Sequence, residues 1–430
     1  MVNTGLVLLL LGCLFFFMLL GFPLFMSMIF SPLLCILIYA PKVATTTIVQ
    51  EMRNGIGTFV LLAVPMFILA ADIMGHGEMA DRLLGFVGSF VRHLPGGLAL
   101  TTGATCTIFG AISGSTQATL VAIGRPMYKP MLKAGYSTSH TIALVMCNAN
   151  IALLIPPSVC MIMYCVCTGV SVGDLFLAGF GPGIIMFLGF AIYDVIFAKR
   201  HKLTSGVEKA TWKERGVAFR RAILALGFPV IVLGGIYSGL FTPTEAATVA
   251  VFYALLIEGV VYRSLKLKDI PKICMSTATV TAAVFILVAG GQAFSWIVSY
   301  ARIPQAVSGV FAGMTSQIAI LLIVSVFFFI ACMFVDSIPV IIIMSPIILP
   351  IALQAGIDPL HLGIIVTLQS AIGCVTPPFG CNIFTACGIF HKKFVEVVKG
   401  LFPYMAINIA IGLILVLSPD LCMISYNLFH

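Results

Sequence analysis

The chain alternates long apolar runs with short polar or basic interruptions. Apolar runs cover about 5–20, 24–40 and 56–75, and Gly21-Phe22-Pro23 divides the first two. Each is near the ~20 residues a helix needs to cross a bilayer, the first two on the short side. Residues 78–95 mix charge with Leu, Phe and Val and end at Pro95-Gly96-Gly97. This pattern predicts an amphipathic helix lying along the interface. The run 98–131 is interrupted at its middle by Ser113-Gly114-Ser115-Thr116, which predicts a re-entrant hairpin with its tip at Ser113–Gln117. Residues 138–168 read as a spanning helix broken near Asn150–Ser158, and 175–198 as an unbroken one. The only long polar stretch follows, at 199–221. Beyond it the plan repeats. Runs at about 222–240 and 244–262 are split by Thr242-Pro243-Thr244. Then come a span at 274–298, an arm around 300–312, a hairpin at 315–350, a broken span at 358–390 and a last run at 397–419.

The repetition extends to individual residues. Pro23 matches Pro243, Pro126 and Pro130 match Pro346 and Pro350, Ala134-Gly135 match Ala355-Gly356, and Pro156-Pro157 match Pro377-Pro378. A near-constant offset of about 220 residues over these landmarks reads as an internal duplication. The chain therefore divides into a first repeat (1–198), a basic linker (199–221) and a second repeat (222–430). Scaffold helices are expected at 5–75 and 222–298, arms at 78–95 and 300–312, and transport elements at 98–168 and 315–390.

Composition narrows the class. The 430 residues are 60% hydrophobic and 9% charged, with a mean hydropathy of +1.15. Soluble proteins carry about 25% charged residues, so the fold class is an all-α polytopic membrane protein. A transmembrane β-barrel would show short alternating segments instead. The net charge of +8 reads as a topology signal and not as affinity for nucleic acid. With the linker in the cytoplasm and each hairpin counted as no crossing, each half crosses five times, an odd number. The halves then have opposite orientation. All Lys and Arg except Lys42, Arg53 and Arg302 fall on the cytoplasmic side. The hairpins enter from opposite sides, the first from the cytoplasm and the second from outside. No secretory signal is expected, because Met1-Val2-Asn3-Thr4 lacks a positive start.

The chemistry concentrates at the breaks. Consecutive prolines remove two backbone donors and interrupt the helix ladder. The carbonyls before them can turn into a cavity and suit a hard monovalent cation such as Na⁺, while an opposing helix N-terminus suits a carboxylate. Two candidate cation sites follow, one per half: the Ser113 region with Ala152–Pro157, and the Val335–Ser337 region with Gly373–Phe379. The tip hydroxyls, Ser115 and Thr116 on one hairpin and Ser337 on the other, can complete a cation's shell or bind substrate. Asp336 is the only acid within 303–357. An acid at membrane depth is a functional candidate, able to attract Na⁺, hold a substrate or carry a proton. Asp72 lies at a helix end and reads as snorkelling to the interface. Glu245 follows Thr242-Pro243-Thr244 and reads as a helix cap. The 13 Cys show no CxxC pair or metal spacing and read as small packing residues. An intramembrane enzyme would need a nucleophile–base pair. Only His140, near Ser137 and Ser139, approaches one, at a helix start beside a polar turn.

At these residues the chain resembles the large membrane subunit (M, or DctM-type) of tripartite ATP-independent periplasmic (TRAP) transporters. The resemblance rests on AVPMFILAADIM (63–74), FGAISGSTQATLVAIG (109–124), LLIPPS (153–158), GLFTPTEAA (239–247), FVDSIPVIIIMSPIILPIA (334–352) and GCVTPPFG (373–380). It implies an elevator-type secondary transporter of the bacterial inner membrane, with no cofactor and Na⁺ as coupling ion. It implies a small four-helix Q subunit and a soluble periplasmic binding protein as partners. The solute would be a small organic acid such as a C4-dicarboxylate or sialic acid. Carried over by motif, one Na⁺ site resembles Gly110, Ser113, Ala152, Ile155 and Pro157, and the other Gly373, Thr376 and Phe379. Ser115 and Asp336 resemble substrate-facing positions. Family members often carry Ser at the place of Gly110 and Gly at the place of Ala152. A stand-alone Na⁺/dicarboxylate or anion transporter of a related inverted-repeat kind is the competing expectation.

Overall fold

The computed structural model describes residues 4–203, 208–305 and 316–429. Among these, every regular element is helical. The first half opens with α1 (Thr4–Leu19), α2 (Leu24–Tyr39), α3 (Thr46–Ile56) and α4 (Ala63–His76), and α5 (Met79–Val91) follows. Then come α6 (Gly97–Ser113), α7 (Thr116–Lys133), α8 (Thr138–Ala149), α9 (Val159–Thr168) and α10 (Val172–Arg200). The second half runs through α11 (Trp212–Tyr237), α12 (Pro243–Leu255), α13 (Ile270–Tyr300), α14 (Gln317–Phe334), α15 (Ser337–Gln354), α16 (Pro359–Cys374) and α17 (Cys381–Phe390). It closes with α18 (Phe394–Val398), α19 (Phe402–Leu417), α20 (Pro419–Cys422) and α21 (Ile424–Phe429). Seven helical segments in the described residues are long and apolar enough to cross a membrane. The two interrupted runs fall outside that set because each is split into shorter pieces.

The elements start where the sequence offers a side-chain acceptor. Ser137 Oγ accepts the amide of His140 at 3.3 Å. Thr242 and Glu245 form a reciprocal capping box at the head of α12, as the Thr-Pro-Thr-Glu pattern predicts. Pro126 and Pro130 lie inside α7, and Pro346 and Pro350 inside α15, so the paired prolines occupy equivalent helices.

Three features differ from the sequence reading. The short helix α3, TTIVQEMRNGI, has no counterpart among the expected elements, because its polar face interrupts any apolar run. The connection between the halves is shorter than its charge run: α10 continues to Arg200 and α11 begins at Trp212. Asp72 is not a free snorkelling acid, since its Oδ2 accepts the hydroxyl of Thr277 on α13 at 2.8 Å. The second arm, at 300–312, lies mostly outside the described residues; α13 ends at Tyr300 and turns.

Two sets of helices pack together, and α13 also packs across them on α15. α13 packs on α2, α3 and α4, and α12 on α4 and α11. Like the first set, the second joins the halves: α9 packs on α15, and α17 on α7 and α8. α5 lies between the sets, against α11 and α6. Its start is fixed from a distance. A π-helical turn, Leu256–Val261, extends α12. From it, the carboxylate of Glu258 accepts the amides of Glu78 and Met79, both at 3.1 Å. The outer faces of α1, α11 and α12 expose Leu19, Val230 and Phe252, an apolar surface suited to lipid or to a membrane partner.

Candidate functional site

Each hairpin tip is a tight turn that begins a new helix. On the first, Gly114 at φ +58° reverses the chain after α6. Ser115 then caps α7, its Oγ accepting the amide of Ala118 at 3.4 Å. Ser113 Oγ lies 2.8 Å from Thr119 Oγ1 and donates to Ser115 O at 3.2 Å, which ties the tip together. On the second, Asp336 caps α15, its Oδ1 accepting the amide of Ser337 at 2.8 Å. Ser115 and Asp336 therefore hold the same structural office.

Each tip sits against the break of its own half. The Pro156-Pro157 and Pro377-Pro378 bonds are both cis. A methyl added at Gly114 would fall 2.3 Å from the carbonyl oxygen of Pro157. One added at Gly110 would fall 2.8 Å from Ala152 Cα. The end of α6, with Gly110 and Ser113, thus meets the first break at Ala152 and Pro157, while the side chain of Ile155 packs toward Gly183 of α10. In the second half, a methyl at Gly373 would fall 2.4 Å from Cys332 Cβ at the end of α14. Thr376 Oγ1 donates to Ile372 O at 2.7 Å, which orients the hydroxyl oxygen without using its lone pairs. Phe379 is exposed, its ring near Phe334 at 5.7 Å between centroids.

Between the tips lies a cavity of about 330 Å³. Ser115, Thr116, Asp336 and Ser337 all line it. The opposite wall is mainly apolar, from Val280, Ala283, Val284 and Leu287 of α13 with Ile68 of α4, and Thr279 adds a hydroxyl to it. Three helix N-termini reach it: α7 at Thr116, α15 at Ser337 and α9 at Val159. Their outward amides favour an anion. Asp336 is the one charged side chain among the described lining residues. The cavity therefore offers oriented N–H groups to a carboxylate and one carboxylate to a cation.

A chain of amides links the two breaks and was not singled out in full from the sequence. Thr116 Oγ1 donates to Asn382 Oδ1 at 3.0 Å, and Asn382 Nδ2 donates to Asn150 Oδ1 at 2.6 Å. Asn150 Nδ2 in turn donates to Ala371 O. Asn150 stood out as polar within an apolar run; Asn382, four residues past the second proline pair, carried the same signal. Cysteine neighbours were also missed. Ser337 Oγ lies 3.0 Å from Cys374 Sγ, and Cys381 Sγ donates to Asp336 Oδ1 at 3.6 Å. The His140 region supplies no nucleophile–base pair. Ser137 is engaged as a cap, and the imidazole stacks on Phe197 at 3.8 Å.

The chain is similar to known proteins of one family. A family model described as the tripartite ATP-independent periplasmic transporter, DctM component, matches residues 11–421. The ectoine TRAP transporter large permease protein TeaC of Halomonas elongata is 50% identical over 381 residues, 88% of each chain. The ectoine/5-hydroxyectoine TRAP transporter large permease protein UehC of Ruegeria pomeroyi is 47% identical, over 88% of this chain and 89% of its own. The C4-dicarboxylate TRAP transporter large permease protein DctM of Rhodobacter capsulatus is 34% identical, over 90% of this chain and 91% of its own. Among solved structures, the YdaH transporter of Alcanivorax borkumensis superposes with a TM-score of 0.65 at 14% identity, covering 88% of both chains, a likeness of fold.

Proposed function

The chain belongs to the DctM family, the large membrane component of tripartite ATP-independent periplasmic transporters, and on that premise we propose that it imports a small zwitterionic carboxylate by Na⁺ coupling and an elevator movement. It is a multi-pass protein of the bacterial inner membrane, and it is a transporter and not an enzyme. Large permeases of this family work with a small membrane subunit and a periplasmic binding protein. In this reading the binding protein delivers the solute from outside.

The single observation that carries the substrate class is the charge of the cavity. Its described lining holds one carboxylate, Asp336, and no Lys, Arg or His. Two like charges about 5 Å apart repel by ~3 kcal/mol at an effective dielectric near 20. A dicarboxylate would meet this repulsion with only helix amides to offset it. A solute with one carboxylate and one delocalised cation meets both features at once: its anion faces the N-termini of α7 and α9, and its cation faces Asp336. Ectoine has this charge pattern, and the TeaC and UehC relatives are named for it. Na⁺ held near Gly110, Ser113, Ala152, Ile155 and Pro157, and near Gly373, Thr376 and Phe379, would fix the two tips around the solute. The hairpins and broken helices, α6–α9 and α14–α17, then travel as one body past a frame of α1–α4 and α11–α13.

Reconstitution with the small subunit, the binding protein and an inward Na⁺ gradient tests this. Labelled ectoine should accumulate, unlabelled ectoine should compete and excess succinate should not. Asp336→Asn should cut ectoine uptake at least tenfold with subunit association intact. Competition by succinate equal to that by ectoine would refute the zwitterion assignment. Uptake by the purified chain without a binding protein would refute the partner requirement.

A further inference from the structure

Among the described residues, one group of three metal-capable side chains has its ligand atoms together: Asp336, Cys374 and Cys381, all within 4.8 Å of one another. They come from three elements, the cap of α15, the last residue of α16 and the first of α17. Cys381 Sγ and Asp336 Oδ1 stand 3.6 Å apart. A tetrahedral zinc ion, with bonds of about 2.3 Å to sulfur and ~2.1 Å to a carboxylate oxygen, separates those two ligands by about 3.6 Å. The pair already has the spacing such an ion requires.

We propose that Asp336, Cys374 and Cys381 form a site for a thiophilic divalent cation, of the Zn²⁺ and Cd²⁺ class, that blocks the transport cavity. Two sulfurs and one oxygen favour a soft or borderline ion over Na⁺, Mg²⁺ or Ca²⁺, which take oxygen ligands. Binding releases the two thiol protons to solvent, since the thiolates are the ligands. Three protein ligands leave a fourth position for water on the cavity side, because Asp336 and Cys374 both line the cavity. Asp336 is exposed, which gives the ion a route in. The bound ion ties the second tip to both sides of its break. It also takes the carboxylate that a solute cation would use, so metal and solute compete. The metal site stands on geometry, whereas its competition with solute rests on the role proposed for Asp336.

Cd²⁺ titration of the reduced, reductant-free protein tests the site directly, through the thiolate-to-metal absorption band in the ultraviolet. The wild type should bind one equivalent more than the Cys374→Ser/Cys381→Ser variant, and a chelator should remove it. The other cysteines are common to both samples and cancel. Cys374 is buried against Ser337, so Cys381→Ser alone, at a partly exposed position, carries the test if the double variant does not fold. In vesicles, Zn²⁺ should inhibit uptake, saturating solute should protect, and Cys381→Ser should raise the inhibitory concentration at least tenfold. Equal Cd²⁺ stoichiometry in wild type and variant would overturn the site. Zn²⁺ inhibition unchanged by Cys381→Ser would overturn the block.

Discussion

At the scale of the residue, the first candidate Na⁺ position contains a close approach of Gly110 to Ala152. A methyl at Gly110 would stand 2.8 Å from Ala152 Cα and 2.9 Å from its Cβ. The absence of a side chain at Gly110 is what leaves room for Ala152. Gly110→Ser alone should overpack the contact and cost about 1–3 kcal/mol. Adding Ala152→Gly should recover most of the loss, and thermal unfolding with the Na⁺ half-saturation of uptake would read both. Equal melting of the single variant and the wild type would show that the contact gives way freely. Thr376 offers a second test. Thr376→Val keeps the shape, removes the oxygen held by Ile372 O, and should raise the Na⁺ requirement about tenfold, or ~1.4 kcal/mol. An unchanged requirement would leave coordination to carbonyls only. What the sequence revealed at this scale follows from contrast. Ser113, Ser115, Thr116, Asp336 and Asn150 interrupt apolar runs and announced themselves. Cys374 and Cys381 did not, because a cysteine reads as an apolar packing residue until its neighbours are known.

At the scale of the element, hairpins and breaks were legible because proline, glycine and hydroxyl residues mark them locally. Tip 1 was expected at Ser113–Gln117, and α6 ends at Ser113 with α7 starting at Thr116. The anchoring of α5 was not legible, because it depends on Glu258, far along the chain on a π-helical turn. No local pattern connects Glu258 to the amides of Glu78 and Met79. The same contact explains Gly77, where an added methyl would lie 2.0 Å from the Glu258 carboxyl carbon. Gly77→Ala should displace that carboxylate and strip two charge-assisted hydrogen bonds from the start of α5, a loss of roughly 2–4 kcal/mol in local stability. Hydrogen exchange should rise over residues 79–91 in the variant and stay unchanged in α16. Uniform exchange across the molecule would mean that the arm is not a separate unit.

At the scale of the whole molecule, the duplication was visible in prolines, whereas the way its halves join was not. The orientation proposed for them has a direct check. With single cysteines in a cysteine-free background, position 42 should react with an impermeant reagent in intact cells, and position 209 only after permeabilisation. Reaction at 209 in intact cells would invert the topology. The joining itself, through Thr116, Asn382, Asn150 and Ala371, bears on fidelity. If the first tip swings open, Thr116 leaves Asn382, and a buried acceptor loses its donor at a cost of about 1–3 kcal/mol. Incoming water can repay that cost only once the passage is already wet. An empty carrier is therefore reluctant to open inward. Under the proposed Na⁺ coupling, an empty carrier that stays shut leaks little sodium, and one amide and one hydroxyl would guard the gradient.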